Sequence, residues 1–120
     1  MKWYRLAAEQ GLVRAQYNLG VMYDNGQGVP QDYKEAVKWY RLAAEQGLAR
    51  AQYNLGVMYG TGQGVLQDYA KVHMWFNLGA SQGGENAKKG RDIVAGMMTP
   101  AQIADAQKMA RDWLATHPDL

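Results

Sequence analysis

The chain has no cysteine at all, and this excludes a disulfide framework, a thiolate zinc site and a cysteine nucleophile, while leaving the redox compartment open. Histidine occurs only as His73 and His117, serine only as Ser81, and phenylalanine only as Phe76. Neither histidine has a ligand or carboxylate partner at i+3 or i+4, so no metal site and no oriented base are expected. Ser81 opens no S-x-x-K pattern, which argues against the chemistry of penicillin-recognising enzymes. There is no apolar run near the ~18 residues of a membrane span, and the start of the chain shows no signal-peptide pattern. By default this reads as a cytoplasmic chain, or a periplasmic or secreted one if a leader precedes it. A net charge of +2 with both signs interspersed is too small for phosphate-backbone binding. Neither nucleic acid nor membrane is an expected partner, and no cofactor is expected.

What is present is repetition. The stretch Lys2–Tyr23 returns as Lys38–Tyr59, 36 residues later, with Val13 against Ala49 as the only difference. A fixed period of this size marks an array of supersecondary units. The likeness then fades: Gly62, Gln63, Gly64, Val65 and Asp68 repeat Gly26, Gln27, Gly28, Val29 and Asp32, Trp75-Phe76 repeats Trp39-Tyr40, and by Arg91 the register is nearly lost.

Each unit reads as a helix pair. In helix A, Val13–Asp24, the apolar residues Ala15, Leu19, Met22 and Tyr23 fall at helical spacing. Gly20 interrupts this helix and recurs as Gly56; a mid-helix glycine costs about 1 kcal/mol against alanine, so a close approach of the paired helix is expected there. Asn25–Pro30 is a turn by composition, and without a preceding strand or a following G-K-[ST] its G-x-G is no phosphate cradle. Helix B runs from Asp32, an N-cap with Glu35 placed to complete a capping box, to Gln46. Its stripe of Tyr33, Ala36, Val37, Tyr40, Ala43 and Ala44 is wide enough to meet two neighbours. Gly11, Gly47 and Gly83 fit the left-handed position past a helix end. The second unit places helix A at Ala49–Gly60 and helix B at Asp68–Gln82. A third helix A is expected over Glu85–Gly96, although Arg91-Asp92 stands where Leu19-Gly20 stood. Thr99-Pro100-Ala101-Gln102 reads as the cap of a last helix, with Ile103, Ala106, Ala110, Trp113 and Leu114 inward.

The pattern A-x-x-x-L-G-x-M-Y-x-x-G-x-G-V-x-x-D, at Ala15–Asp32 and Ala51–Asp68, followed by A-x-x-W-Y-x-x-A-A-x-Q-G at Ala36–Gly47, resembles the Sel1-like repeat, a relative of tetratricopeptide repeats. The resemblance implies an all-α fold, a right-handed α/α superhelix (solenoid) of helix-pair repeats closed by a C-terminal capping helix. Divided on that basis, residues 1–11 are a partial repeat, 12–47 and 48–83 are repeats, 84–98 a degenerate helix and 99–117 the cap. The implied function is a noncatalytic scaffold that binds a protein or peptide on its concave helix A face. Carried over residue by residue, that face holds Arg14, Tyr17, Val21, Asp24 and Asn25, then Arg50, Tyr53, Val57 and Thr61. Such Arg and Tyr side chains suit an adaptable contact surface, although the tyrosines could equally serve to pack the array. Two other readings stand beside it: self-association into a homo-oligomer through the exposed first helix, and a hydrolase, for which no nucleophile–base pair is visible.

Overall fold

A computed structural model describes residues 2–118. Among the described residues there are seven helices and no strand: α1 (Lys2–Glu9), α2 (Val13–Asn25), α3 (Tyr33–Glu45), α4 (Ala49–Thr61), α5 (Tyr69–Ser81), α6 (Glu85–Ala95) and α7 (Pro100–Ala115). Among the described residues no helix is long and apolar enough to cross a membrane. Helices α2 and α3 pair as a hairpin, α4 and α5 repeat that pairing, and α1 on α2, α3 on α4 and α5 on α6 stack the units into an all-α solenoid.

Glycine sets the closeness of the hairpins. A Cβ on Gly20 would lie 2.5 Å from the Tyr40 ring, and one on Gly56 would lie 2.6 Å from the Phe76 ring. The helical glycines therefore exist to admit an aromatic ring from helix B, and Tyr40 is among the largest fully buried side chains as a result. Each hairpin is then joined to the next by a sharp stop: Gly11, Gly47 and Gly83 all take φ of 88–89°, a conformation that costs only glycine nothing.

Asp32 accepts hydrogen bonds from the backbone N–H groups of Lys34 and Glu35, but the capping box is not completed. Its own N–H is already donated to the Tyr23 carbonyl at 2.9 Å, leaving the Glu35 carboxylate without a role there. Asp68 repeats the arrangement with the Tyr59 carbonyl, and so Lys71 in the place of Glu35 removes no cap. Thr99 and Gln102 do form the reciprocal box expected of them.

Two amides lie deep between units. Gln16 donates to the Ala8 carbonyl at 3.2 Å and accepts from Gln46 at 2.7 Å. Gln52, only 1% exposed, donates to the Ala44 carbonyl at 3.2 Å and accepts from Gln82 at 2.9 Å. A second inter-unit tie joins the Arg5 guanidinium to the Tyr23 hydroxyl, and Arg41 to Tyr59 in the same way. In the third unit Asn77 replaces the arginine and Ala95 the tyrosine, and the guanidinium comes instead from Arg91, which donates to Asn77 at 3.0 Å.

The end of the array departs from the repeat. Helix α7 packs on α5, whereas a regular unit would pair it with α6. Asp92 stands at the register of Gly20 and Gly56, and the helical glycine of α6, Gly90, receives the Phe76 ring of α5. Trp113 instead meets Trp75 edge-on, with ring centroids 5.8 Å apart, and stacks on His117. Leu114, expected inward, is 43% exposed, and Met109 is packed against the core in its stead. At the opposite end Trp3 is 83% exposed, although Trp39 and Trp75 at the same register are buried.

His73 stands where Val37 stands one unit earlier and is buried, with no hydrogen-bond partner on Nδ1. Burial lowers its pKa; the Arg91 guanidinium pushes the same way, against a smaller opposing effect of Asp92. The unfolded chain therefore takes up this proton at higher pH than the folded one. Its contribution to stability is whole above the unfolded value of 6.5 and declines as pH falls towards the folded value. Thermal unfolding is expected to shift downward between about pH 7.5 and about pH 5.5, and His73→Val is expected to flatten that slope. An equal slope in the variant would show that other groups carry it.

Candidate functional site

Helices α2, α4 and α6 are the A helices of successive units, and their shared face carries an open pocket of about 350 Å³. Tyr17 of α2, Arg50, Tyr53 and Asn54 of α4, and the first turn of α6 from Glu85 to Ala87 line it. The volume lies within the range of ordinary ligand sites. The N-cap positions of α4 and α6 are Leu48 and Gly84, which supply no side-chain acceptor. Both helices consequently border the pocket with uncapped, positive dipole ends.

The side chains here are held from behind. The Tyr17 ring packs against Tyr40 with centroids 5.8 Å apart, and its hydroxyl accepts a hydrogen bond from Asn54 at 3.3 Å. The Arg50 guanidinium lies over the same ring, 5.1 Å from its centroid. Tyr53 stacks on Phe76 at 5.3 Å with only 19° between the planes. Both tyrosines are half-buried, so each packs along the array with one side and lines the pocket with the other. A rigid aromatic floor with a stacked guanidinium loses little side-chain entropy on binding.

Of the nine residues expected on this face, Tyr17, Arg50 and Tyr53 are brought together in the pocket. Arg14 is exposed one unit upstream of Arg50. Val21 lines a separate hollow with Tyr4, Asn18, Met22, Gln27 and Gly28, and Val57 is half-buried against the core. Asp24 accepts a hydrogen bond from the Tyr40 hydroxyl at 3.0 Å. Burial, reinforced by that carboxylate, pushes the Tyr40 hydroxyl above the ordinary phenol range, so the pair is a structural one. Its counterpart one unit on is Phe76 opposite Gly60, where donor and acceptor are lost together. Asn25 is exposed at the last position of α2, and Thr61 turns its hydroxyl back onto the Val57 carbonyl at 3.1 Å.

Asn54, Glu85 and Asn86 were not anticipated as lining residues. Asn86 was within reach of the sequence, because it lies one period of 36 residues beyond Arg50. Among the described residues, no three His, Asp or Glu side chains gather as metal ligands.

The sequence pattern of the Sel1 repeat matches this chain at residues 1–12, 13–48 and 49–84. No curated protein matches it. Among solved structures it is similar to a protective antigen present in uropathogenic Escherichia coli strains, described as displaying an SLR fold, with 35% identity and a TM-score of 0.91 over 95% of this chain. It is also similar to a Sel1 repeat protein from Oxalobacter formigenes, with 39% identity and a TM-score of 0.74 over 77% of this chain. The chain spans 25% of the first of those proteins and 38% of the second.

Proposed function

Because the chain belongs to the Sel1 repeat family, whose members commonly act as scaffolds for protein interaction, we propose that it binds a partner polypeptide on the shared face of α2, α4 and α6. The observation that carries this reading is the convergence of Tyr17, Arg50, Tyr53 and Asn54 on one open pocket, each braced by a neighbour that leaves a face free. The site residues are Arg14, Tyr17, Val21, Arg50, Tyr53 and Val57, with Asp24 in a supporting role behind them. A noncatalytic role agrees with the family.

The test is crosslinking of a bound partner to the chain and to Tyr17→Ala plus Tyr53→Ala. Capture is expected to fall by about tenfold or more, as for aromatic anchors in other interfaces, with the helical circular-dichroism signal kept. Capture at full strength by the folded double variant would remove the face from consideration.

A second reading is favoured by one observation, the exposed Trp3 at a register where Trp39 and Trp75 are buried. On that reading α1 associates with another copy. Sedimentation over a concentration series is expected to show a rising mean mass that Trp3→Ser removes; a monomer throughout would end this reading.

A further inference from the structure

The A helices repeat with the period of the units, so the chemistry of their shared face can be read in rows. Arg14, Arg50 and Asn86 occupy the first row, Tyr17, Tyr53 and Lys89 the second, and Val21, Val57 and Ile93 the third. Three cations, Arg14, Arg50 and Lys89, thus stand on this face, all exposed. Among the described residues none of them lies within ion-pair distance of a carboxylate; the ion pairs that exist join Arg5 to Glu9, Arg91 to Asp92 and Lys108 to Asp112. Glu85 is the one acid lining the pocket, and Asp24, which lies outside it, is engaged by Tyr40. Arg50 is already oriented by its stack on Tyr17, which leaves its planar fork of donors suited to a carboxylate. The third row is apolar, and Ile93 is 64% exposed within it.

Resting on the reading that this face receives a polypeptide, we propose that the occupant is an extended acidic segment of a partner protein. Its carboxylates meet Arg14, Arg50 and Lys89, and its apolar side chains lie against Tyr17, Tyr53 and the row of Val21, Val57 and Ile93. An extended chain advances about 3.3 Å per residue, so a segment with an acid at every third residue presents a carboxylate about every 10 Å along its length. Three cations spread over two rows are too few to hold a nucleic-acid backbone against physiological salt, but they suffice to orient a peptide whose remaining contacts are apolar.

The experiment is a fluorescence-anisotropy titration of the whole chain with an end-blocked peptide of roughly nine residues repeating Glu-Leu-Ser, beside the same peptide with Gln or with Lys in place of Glu. The Glu peptide is expected to bind about tenfold more tightly than the Gln peptide, and the Lys peptide more weakly still. Arg14→Ala plus Arg50→Ala is expected to erase the preference for Glu over Gln without changing the melting profile. Glu85→Gln, which removes the one like charge lining the pocket, is expected to tighten the Glu peptide about two- to threefold, a gain that a merely structural residue would not give. Equal binding of Glu and Gln peptides, lost from both on Tyr17→Ala plus Tyr53→Ala, would leave the groove standing and overturn its acidic preference. Competition by inorganic phosphate or a short oligonucleotide at equal charge would overturn it as well, by showing a general anion site. No binding of any peptide, or binding that survives both double variants, would overturn the groove together with the preference.

Discussion

Phe76→Ala is expected to lower the stability of the array by about 3–5 kcal/mol, the range for truncating a buried aromatic, measured by equilibrium urea unfolding. The ring is placed where one substitution reaches three helices. It belongs to α5, and the helical glycines Gly56 of α4 and Gly90 of α6 both give way to it: a Cβ on either would come within 2.6 Å of opposite edges of the ring. Tyr53 stacks on it as well. Removing it opens a cavity that the surrounding helices cannot close without unstacking a unit. The same geometry makes the reverse change harmful. Gly56→Ala gains about 1 kcal/mol in helix propensity, yet the new methyl has nowhere to go, because Gly90 blocks the ring from swinging away. Overpacking of about 1–3 kcal/mol is expected to outweigh the gain. In a Phe76→Leu background the penalty should shrink, since a branched aliphatic chain can turn aside; strictly additive effects would mean that the glycine has another purpose.

Trp113→Ala is expected to cost about 2–4 kcal/mol and to increase the apparent mass in size-exclusion chromatography. Trp113 docks α7 on α5 through Trp75, and its indole N–H has no hydrogen-bond partner, so the whole effect is one of packing. Without it the apolar face of α5 that α7 covers is left to water, and an uncovered repeat face lowers solubility. Leu114→Ala, one position on, is the control. Its side chain is 43% exposed, and the change is expected to stay within about 0.5 kcal/mol. Equal effects at the two positions would mean that α7 is held by something other than the tryptophan.

The hairpins were legible because two physical signals coincide in the sequence. Leu19 and Leu55 lie on stripes of helical period, and glycines that would weaken a lone helix recur one unit apart. The burial of Gln16 and Gln52 was not legible from periodicity, which reads a glutamine as outward. Their partners are a carbonyl eight residues back and an amide thirty residues ahead, and only the three-dimensional stack brings these together. The recurrence of both amides at the repeat period was nevertheless a hint that they pair. Trp39 was likewise missed, since helix α3 is buried over a wider arc than its stripe of small residues suggests. The choice of α5 over α6 as the seat of α7 had no local signature. For the pocket, Tyr17, Arg50 and Tyr53 follow from the register, whereas Asn86 lies in the third unit, where Arg91-Asp92 breaks the pattern.

The ties between α1 and α2 are the same, atom for atom, as those between α3 and α4: a glutamine on an alanine carbonyl and a guanidinium on a tyrosine hydroxyl. Excising residues 13–48 in one piece would therefore bring Arg5 to Tyr59 and the Ala8 carbonyl to Gln52, rebuilding a junction already proven elsewhere in the molecule. Unequal recombination between the twin segments can lengthen or shorten such a gene by whole units without inventing a new contact. Length is for that reason the property of this protein that evolution can change most cheaply, and reach along a partner changes with it.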